Sequence, residues 1–320
     1  MSKKHSSGHN KKGGAGASVV ADHQPVAVPL RARPTVDLRA ALRAPSAVKI
    51  ADLDPSATPG YPGKSKKDAA KLTAILGPTL SDWQERLYAQ SRDEDLPRRS
   101  ILVILQGMDT SGKSGVVRHV FGLVDPQGLM LHAFKQPTNE ELSHSFLWRI
   151  RRHLPTPGMI GIFDRSQYED VLVARVDSLV EESVWSKRYE AINRFESEVV
   201  AQGTTVVKCF LNISPDEQKR RLLERLSDPT KYWKYSPGDV VVRRKWADYM
   251  AAYEDMLNRC NTEDAPWYVI PADRKWYRNW AIASLILEHL RQMDPVWPKP
   301  EFIVAEQVAG VETSLPSVTP

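Results

Sequence analysis

The chain is poor in the features that mark several large classes of protein. Two cysteines in 320 residues, Cys209 and Cys260, are too few and too far apart for a disulfide framework or a cysteine zinc site. A reduced, cytoplasmic setting is the expectation. No apolar run approaches the ~18 residues that a membrane span needs, so no membrane partner is expected. The start, MSKKHSSGHNKKGGAGAS, carries basic residues with no apolar stretch behind them, which argues against a secretory leader. Internal repeats are absent as well. His119, His132, His144 and His153 have no metal-ligand spacing. What is left is an ordinary soluble composition, 42% hydrophobic and 26% charged.

Charge is less ordinary, because the net +5 is unevenly placed. Residues 1–24 hold Lys3, Lys4, Lys11 and Lys12 against Asp22, with too few apolar residues to offset chain entropy, and read as a disordered basic tail. Residues 25–64 carry seven prolines and read as an extended arm with a short helix near Leu38–Arg43. Residues 293–320 read as a second Pro-rich tail. The organised domain lies between, over 65–292. Inside it, the stretch from Gln218 to Lys245 holds nine basic residues against Glu224, Asp228 and Asp239, interleaved with Tyr232, Trp233, Tyr235 and Trp246. A charge run of this kind is either a solvated helix face or an anion site.

Short apolar runs at 101–105, 129–134, 159–163, 205–213 and 267–270 are too short and too β-branched for helices and predict buried strands. Helical patterns separate them, at 114–124, 139–152, 167–177, 184–201 and 215–226, and a last helix covers 276–292. Over 65–90 the pattern is also helical, and Gly77-Pro78 predicts a break into two helices. Strand and helix alternating in this way predict an α/β domain with a five-stranded parallel sheet and right-handed crossovers. Ligands in such sheets bind at the carboxyl ends of the strands.

The first strand runs directly into Gly107-Met108-Asp109-Thr110-Ser111-Gly112-Lys113-Ser114, a complete G-x-x-x-x-G-K-[ST] loop followed by Gly115. Such glycines let successive backbone N–H groups converge on phosphate oxygens, with Lys113 reaching the transferred group and Ser114 a metal ion. The third strand ends in Asp164, a candidate metal ligand beside that loop, followed by Arg165, whose fork suits phosphate oxygens. Asp164 could instead cap a helix, but Ser166 serves that purpose equally well. The fourth strand leads through Ser214-Pro215 into the basic helix. A lid about 215–248, bearing Arg221, Arg225, Lys231 and Lys234, is predicted to close over the site and exclude water. Lys135, after the second strand, is a candidate for the acceptor phosphate.

These motifs resemble the polyphosphate kinase 2 family. The likeness is carried by GMDTSGKSG at 107–115, KQPTNEELSHSFLWR at 135–149, GIFDRSQYEDVLVARV at 161–176, SPDEQKRRLLERLSDPTKYWKYSP at 214–237 and RRKWADYMAAYEDM at 243–256. It runs from about Asp54 to about Leu290. The resemblance implies a P-loop kinase-like three-layer α/β sandwich with a helical lid. It also implies reversible phosphoryl transfer between inorganic polyphosphate and nucleotides, with Mg²⁺ or Mn²⁺ as cofactor, in a homo-oligomer. Residue by residue, it makes Asp109 and Asp164 metal ligands, Lys113 and Arg165 phosphate contacts, and Arg175, Arg221 and Arg225 further contacts to the chain. Ser114 departs from the family, whose members commonly carry Asp or Gly there. The form Gln167-Tyr168-Glu169-Asp170 resembles members that accept AMP as well as ADP, which makes Glu169 a candidate acceptor-side residue. Adenine nucleotides are the expected acceptors, with guanine nucleotides as the alternative.

Two other readings fit the same residues. An ATP-dependent small-molecule or nucleoside monophosphate kinase would share the fold without needing polyphosphate. A nucleotide-gated module holding nucleic acid on its aromatic, basic lid is the third. It has no use for both Asp109 and Asp164, and no nucleic-acid partner is expected.

Overall fold

The computed structural model describes residues 26–314; the tail predicted over 1–24 lies outside them. Five strands, β1 (Ser100–Gln106), β2 (Leu129–Ala133), β3 (Ile160–Asp164), β4 (Thr204–Asn212) and β5 (Trp267–Pro271), form one parallel sheet in the order β2-β3-β1-β4-β5. The edge strand β2 is partly exposed, whereas every residue of β1 and β5 is buried, and β4 nearly so, so both faces of the sheet are covered there. That is why these strands read as unbroken apolar runs.

The helices, in chain order, are α1 (Leu38–Ala41), α2 (Lys66–Gln90), α3 (Lys113–His119), α4 (Asn139–Leu142), α5 (Trp148–Arg151), α6 (Glu169–Val176), α7 (Glu182–Ala201), α8 (Pro215–Leu226), α9 (Gly238–Arg244), α10 (Trp246–Arg259), α11 (Lys275–Met293) and α12 (Val304–Thr313). Helix α11 packs on α2 and α3, while α6 packs on α7 and α10. No helix among the described residues is long and apolar enough to cross a membrane. Both cysteines are buried free thiols.

Three segments differ from their sequence pattern. The 65–90 stretch is one 25-residue helix rather than two. Pro78 sits on its exposed side, and the buried stripe of Leu72, Leu76, Leu80 and Leu87 holds the helix continuous across the lost hydrogen bond. The predicted helix over 139–152 is two four-residue turns, each too short to bury a face. Beyond Asp294 a ten-residue helix, α12, forms in the segment that its prolines mark as a tail. The arm is pinned to the core by buried Val28, Leu38, Leu42 and Val48, and it bridges the edge strand β5 where Leu42 O accepts from Val269 N at 2.7 Å.

Candidate active site

The site grows out of the carboxyl end of β1. Gly107, Thr110 and Gly112 take φ values of 143°, 66° and 110°, which curl the chain back before α3 begins at Lys113. Gly107 has no alternative there, since a Cβ would stand 2.7 Å from Leu211 O. Lys113 is 9% exposed, and its Nζ donates to Gly107 O at 2.7 Å. The amine thus rests on the loop itself, where a phosphate oxygen could replace a carbonyl as its partner.

Strand β3 delivers the second group. Its register sets Asp164 beside Leu105 of β1, next to the loop. Arg165 then adopts φ 67° with its N–H on Leu105 O at 3.1 Å. A non-glycine residue in that region is strained, and such strain collects at functional sites. The turn aims the guanidinium at the loop, with Nη2 donating to Asp109 Oδ1 at 3.3 Å. Burial alone would lower the Arg165 pKa, but Glu169, Asp109, Tyr253 and Asp164 outweigh it and raise it. Glu169 is half-buried at the start of α6, and burial raises its carboxyl pKa against the pull of Arg165 and Lys113. Helix α6 takes no side-chain cap from Asp164 or Ser166; Ser166 Oγ instead accepts from Tyr168 N at 3.3 Å in the turn before it. Asp109, Asp164 and the exposed Ser114 are hard oxygen donors, and Mg²⁺ typically takes one or two carboxylates with water and phosphate completing its shell. The donor set fits such an ion, although no three His, Cys, Asp or Glu side chains converge among the described residues.

Two anchors fix this edge from behind. Under α6, Lys208 and Glu196 are wholly buried and paired at 2.6 Å. Glu196 Oε1 accepts from Gln167 Nε2 and Tyr168 Oη, which immobilises the chain between Arg165 and Glu169. Under the phosphate loop lie Arg221 of α8 and Arg278 of α11, 4% and 2% exposed. Arg221 is corrected here as a phosphate contact. Its Nε meets Glu217, Nη1 meets Thr110 O and Ser111 O, and Nη2 meets Ala272 O and Asp273 O, so no donor is left over. Arg278 Nη1 donates to the same Ser111 O at 2.9 Å, and burial, with Arg221 nearby, pulls its pKa down to about 9.

The lid covers the loop's front. Gln218 Nε2 donates to Asp109 O at 3.1 Å, and Arg243 Nη1 in turn holds Gln218 Oε1 at 2.8 Å. Asp239 of α9 lies close enough to Asp109 for repulsion to add to burial in raising its pKa. Arg225 Nη1 donates to Lys234 O at 2.7 Å, inside the lid. Lys231 pairs with Asp228 and Glu224 at 3.0 and 3.1 Å. Lys234 lies over the Trp233 ring at 4.9 Å. Arg175 is turned to Asp255 and to the Trp185 ring, at the far end of α6 from Glu169. Lys135 is exposed beyond β2, its carbonyl held by Arg149 Nη2 at 2.7 Å.

Asp109, Lys113, Asp164, Arg165 and Glu169 therefore meet at one edge, while Arg175 and Lys135 do not join their hydrogen bonds. Sequence reasoning missed Gln218, Arg278, Glu196 and Lys208. Only Lys208, a lone charge in an apolar strand, left a visible sign.

Comparison with known proteins bears on the same edge. The family model described as Polyphosphate kinase 2 (PPK2) matches residues 64–297. An AMP/ADP-polyphosphate phosphotransferase of Meiothermus ruber is 44% identical over 248 residues, 78% of this chain and 90% of that protein. An ADP-polyphosphate phosphotransferase of Rhodopseudomonas palustris is 41% identical over 248 residues, 74% of this chain and 84% of that protein. The crystal structure of Polyphosphate Kinase 2 from Arthrobacter aurescens TC1 superposes with a TM-score of 0.84 at 48% identity, over 88% of this chain and 98% of that one.

Proposed function

The chain belongs to the polyphosphate kinase 2 family, and on that premise we propose that it moves phosphoryl groups between inorganic polyphosphate and adenine nucleotides, AMP to ADP and ADP to ATP. The observation that carries this reading is the convergence of Lys113, Arg165, Asp109 and Glu169 around a glycine loop beneath a basic lid. An oxygen of the nucleotide's last phosphate attacks the terminal phosphorus of the polyphosphate. The bridging P–O bond breaks, and the chain leaves one phosphate shorter. No covalent enzyme intermediate is needed, so positioning and charge carry the catalysis.

Each residue's part follows from its surroundings. Lys113 exchanges Gly107 O for a phosphate oxygen of the transferred group. Arg165, already oriented by its backbone, lies against the same group and gives up part of its contact with Asp109. Asp109, Asp164 and Ser114 would hold Mg²⁺ or Mn²⁺, whose charge offsets that of the phosphate oxygens when bound. Lys234, the lid cation without a carboxylate partner among the described residues, draws the polyanion in, while Arg225 and Lys231 are already paired with Asp239 and with Glu224 and Asp228. The lid excludes water that would otherwise take the phosphoryl group.

The test is incubation with polyphosphate, Mg²⁺ and either AMP or ADP, with nucleotide products resolved by chromatography. ADP and ATP are the expected products. Folded protein that transfers nothing to either nucleotide overturns the proposal. Turnover that needs ATP and ignores omission of polyphosphate would instead mark an ATP-dependent kinase.

A further inference from the structure

Arg278 is a buried cation with no carboxylate beside it among the described residues. It is 2% exposed, and among the described residues no carboxylate lies within ion-pair distance of it. Its hydrogen bonds go to neutral groups, Nη1 to Ser111 O at 2.9 Å, and Nε and Nη2 to Asn279 Oδ1 at 3.2 and 2.8 Å. Its ionisable neighbours are basic: Arg221 adds to burial in lowering its pKa, and Arg278 in turn helps to lower that of His119. Burying a charge without a counter-ion is costly, and proteins normally place a carboxylate beside it. Here the position for that carboxylate exists. Asn279 Oδ1 accepts from two guanidinium nitrogens, a fork that an aspartate would match, yet the side chain is an amide.

The charge is also pressed against the loop. A Cβ on Gly112 would fall 1.7 Å from Arg278 Nη1, and one on Gly115 would fall 2.7 Å from Nη2. Gly115 lies outside the G-x-x-x-x-G-K-[ST] pattern, and the approach of Arg278 is what requires it to be small. The guanidinium thus touches the back of the segment that curls around the anion site directly, buried where bulk solvent screens it little.

We propose that Arg278 is a positioning residue, left without a counter-ion so that its charge acts through the phosphate loop on the polyphosphate anion held at the loop's front. The inference rests on the function proposed above. Arg278 touches no reacting atom. It braces Ser111 O so that the loop keeps its curl, and the bound phosphate chain becomes the counter-ion that the fold withholds.

Asn279→Asp tests this directly, because it supplies the missing carboxylate while keeping the hydrogen-bond geometry. The free variant should melt at or above the wild-type temperature, and its dissociation constant for tripolyphosphate should rise about tenfold. Asn279→Ala, which leaves the charge uncompensated, should bind within about twofold of wild type. A merely structural brace predicts the reverse pattern, since Asn279→Asp preserves the brace and would bind as wild type does. Equal binding by wild type and Asn279→Asp overturns the inference. Should Asn279→Asp fail to fold, Arg278→Lys and Arg278→Gln decide it: binding retained by the first and lost by the second supports the proposal, and equal binding overturns it. A wild-type protein that binds no tripolyphosphate and transfers no phosphoryl group overturns the proposed function itself.

Discussion

Two ion pairs flank the turn from β3 into α6, and they are built to opposite specifications. Lys208 and Glu196 are 0% and 2% exposed and meet at 2.6 Å. Lys208 also donates to Tyr168 Oη and Cys260 O, so all three of its protons are used. Arg165 and Asp109 are 42% and 24% exposed and share one contact at 3.3 Å. Gln167 and Tyr168, which the first pair holds, follow Arg165 of the second pair within three residues. The first pair has no free donor for a substrate and serves to hold Gln167 and Tyr168. The second is loose enough to trade a carboxylate for a phosphate. Rigidity placed just behind an exchangeable pair is what preorganisation requires.

The sharpest way to break the comparison is to cut both pairs and read activity and stability separately. Arg165→Gln should lower kcat by roughly 10⁴-fold, or about 5 kcal/mol of transition-state stabilisation. Its effect on urea unfolding should stay below about 1 kcal/mol, because a half-exposed pair contributes little. Glu196→Gln should do the opposite. It strands a buried lysine, and removing one member of such a pair costs about 3–5 kcal/mol. Per folded molecule its turnover should fall by less than about tenfold. If Arg165→Gln melts the protein as readily as Glu196→Gln does, the division into anchor and exchangeable pair is wrong.

Asp170 stands between the two regions and adds a pH test. Its Oδ1 accepts from Arg188 at 3.1 Å, yet burial outweighs that cation and raises its pKa from 3.8 to about 6. An unfolded chain therefore releases this proton first as pH rises, while the folded carboxyl still holds it. The contribution is most favourable below the ordinary value of 3.8, falls as pH rises to about 6, and is constant above that. Relative to wild type, Asp170→Asn should gain stability between pH 4 and pH 7, by at most about 3 kcal/mol. Urea titrations at several pH values measure it. A difference that is flat across that range would mean that Arg188 wins over burial.

Much of this edge could be read from the chain because local rules determine it. The loop from Gly107 to Ser114 and the aspartate ending β3 each depend on a residue type at a fixed spacing next to an apolar run. Arg221 was harder. A basic residue on a helix shows its charge in the sequence but not its face, and packing turned it to the back of the loop instead of the front. Arg278 was invisible, because its partner Ser111 is far away in sequence and a single arginine in a closing helix carries no pattern. Pro78 misled for a related reason: local propensity argues for a break, and the long buried stripe on either side outweighs it. The anchors, in short, are tertiary facts, and the exchangeable residues are motif facts.

The mildest expected effect compares two lysines of the lid, three residues apart, and extends the contrast between paired and unpaired charge to the surface. Lys231 is held between Glu224 and Asp228, and these bonds raise its pKa. Lys234 has no carboxylate partner among the described residues and rests on the exposed ring of Trp233, whose Nε1 is tied to Thr230 O at 3.0 Å. To meet a phosphate, Lys231 must leave two acids, and the field it offers the polyanion is already cancelled by them. Lys234 offers its charge at no such cost. Lys234→Ala should therefore raise the KM for polyphosphate about threefold with kcat unchanged, and Lys231→Ala should raise it less than about twofold. Added salt should erase the difference, since both charges are exposed to it. Steady-state kinetics at two ionic strengths decide the matter, and a larger effect from Lys231→Ala would mean that its acids release it when the chain arrives.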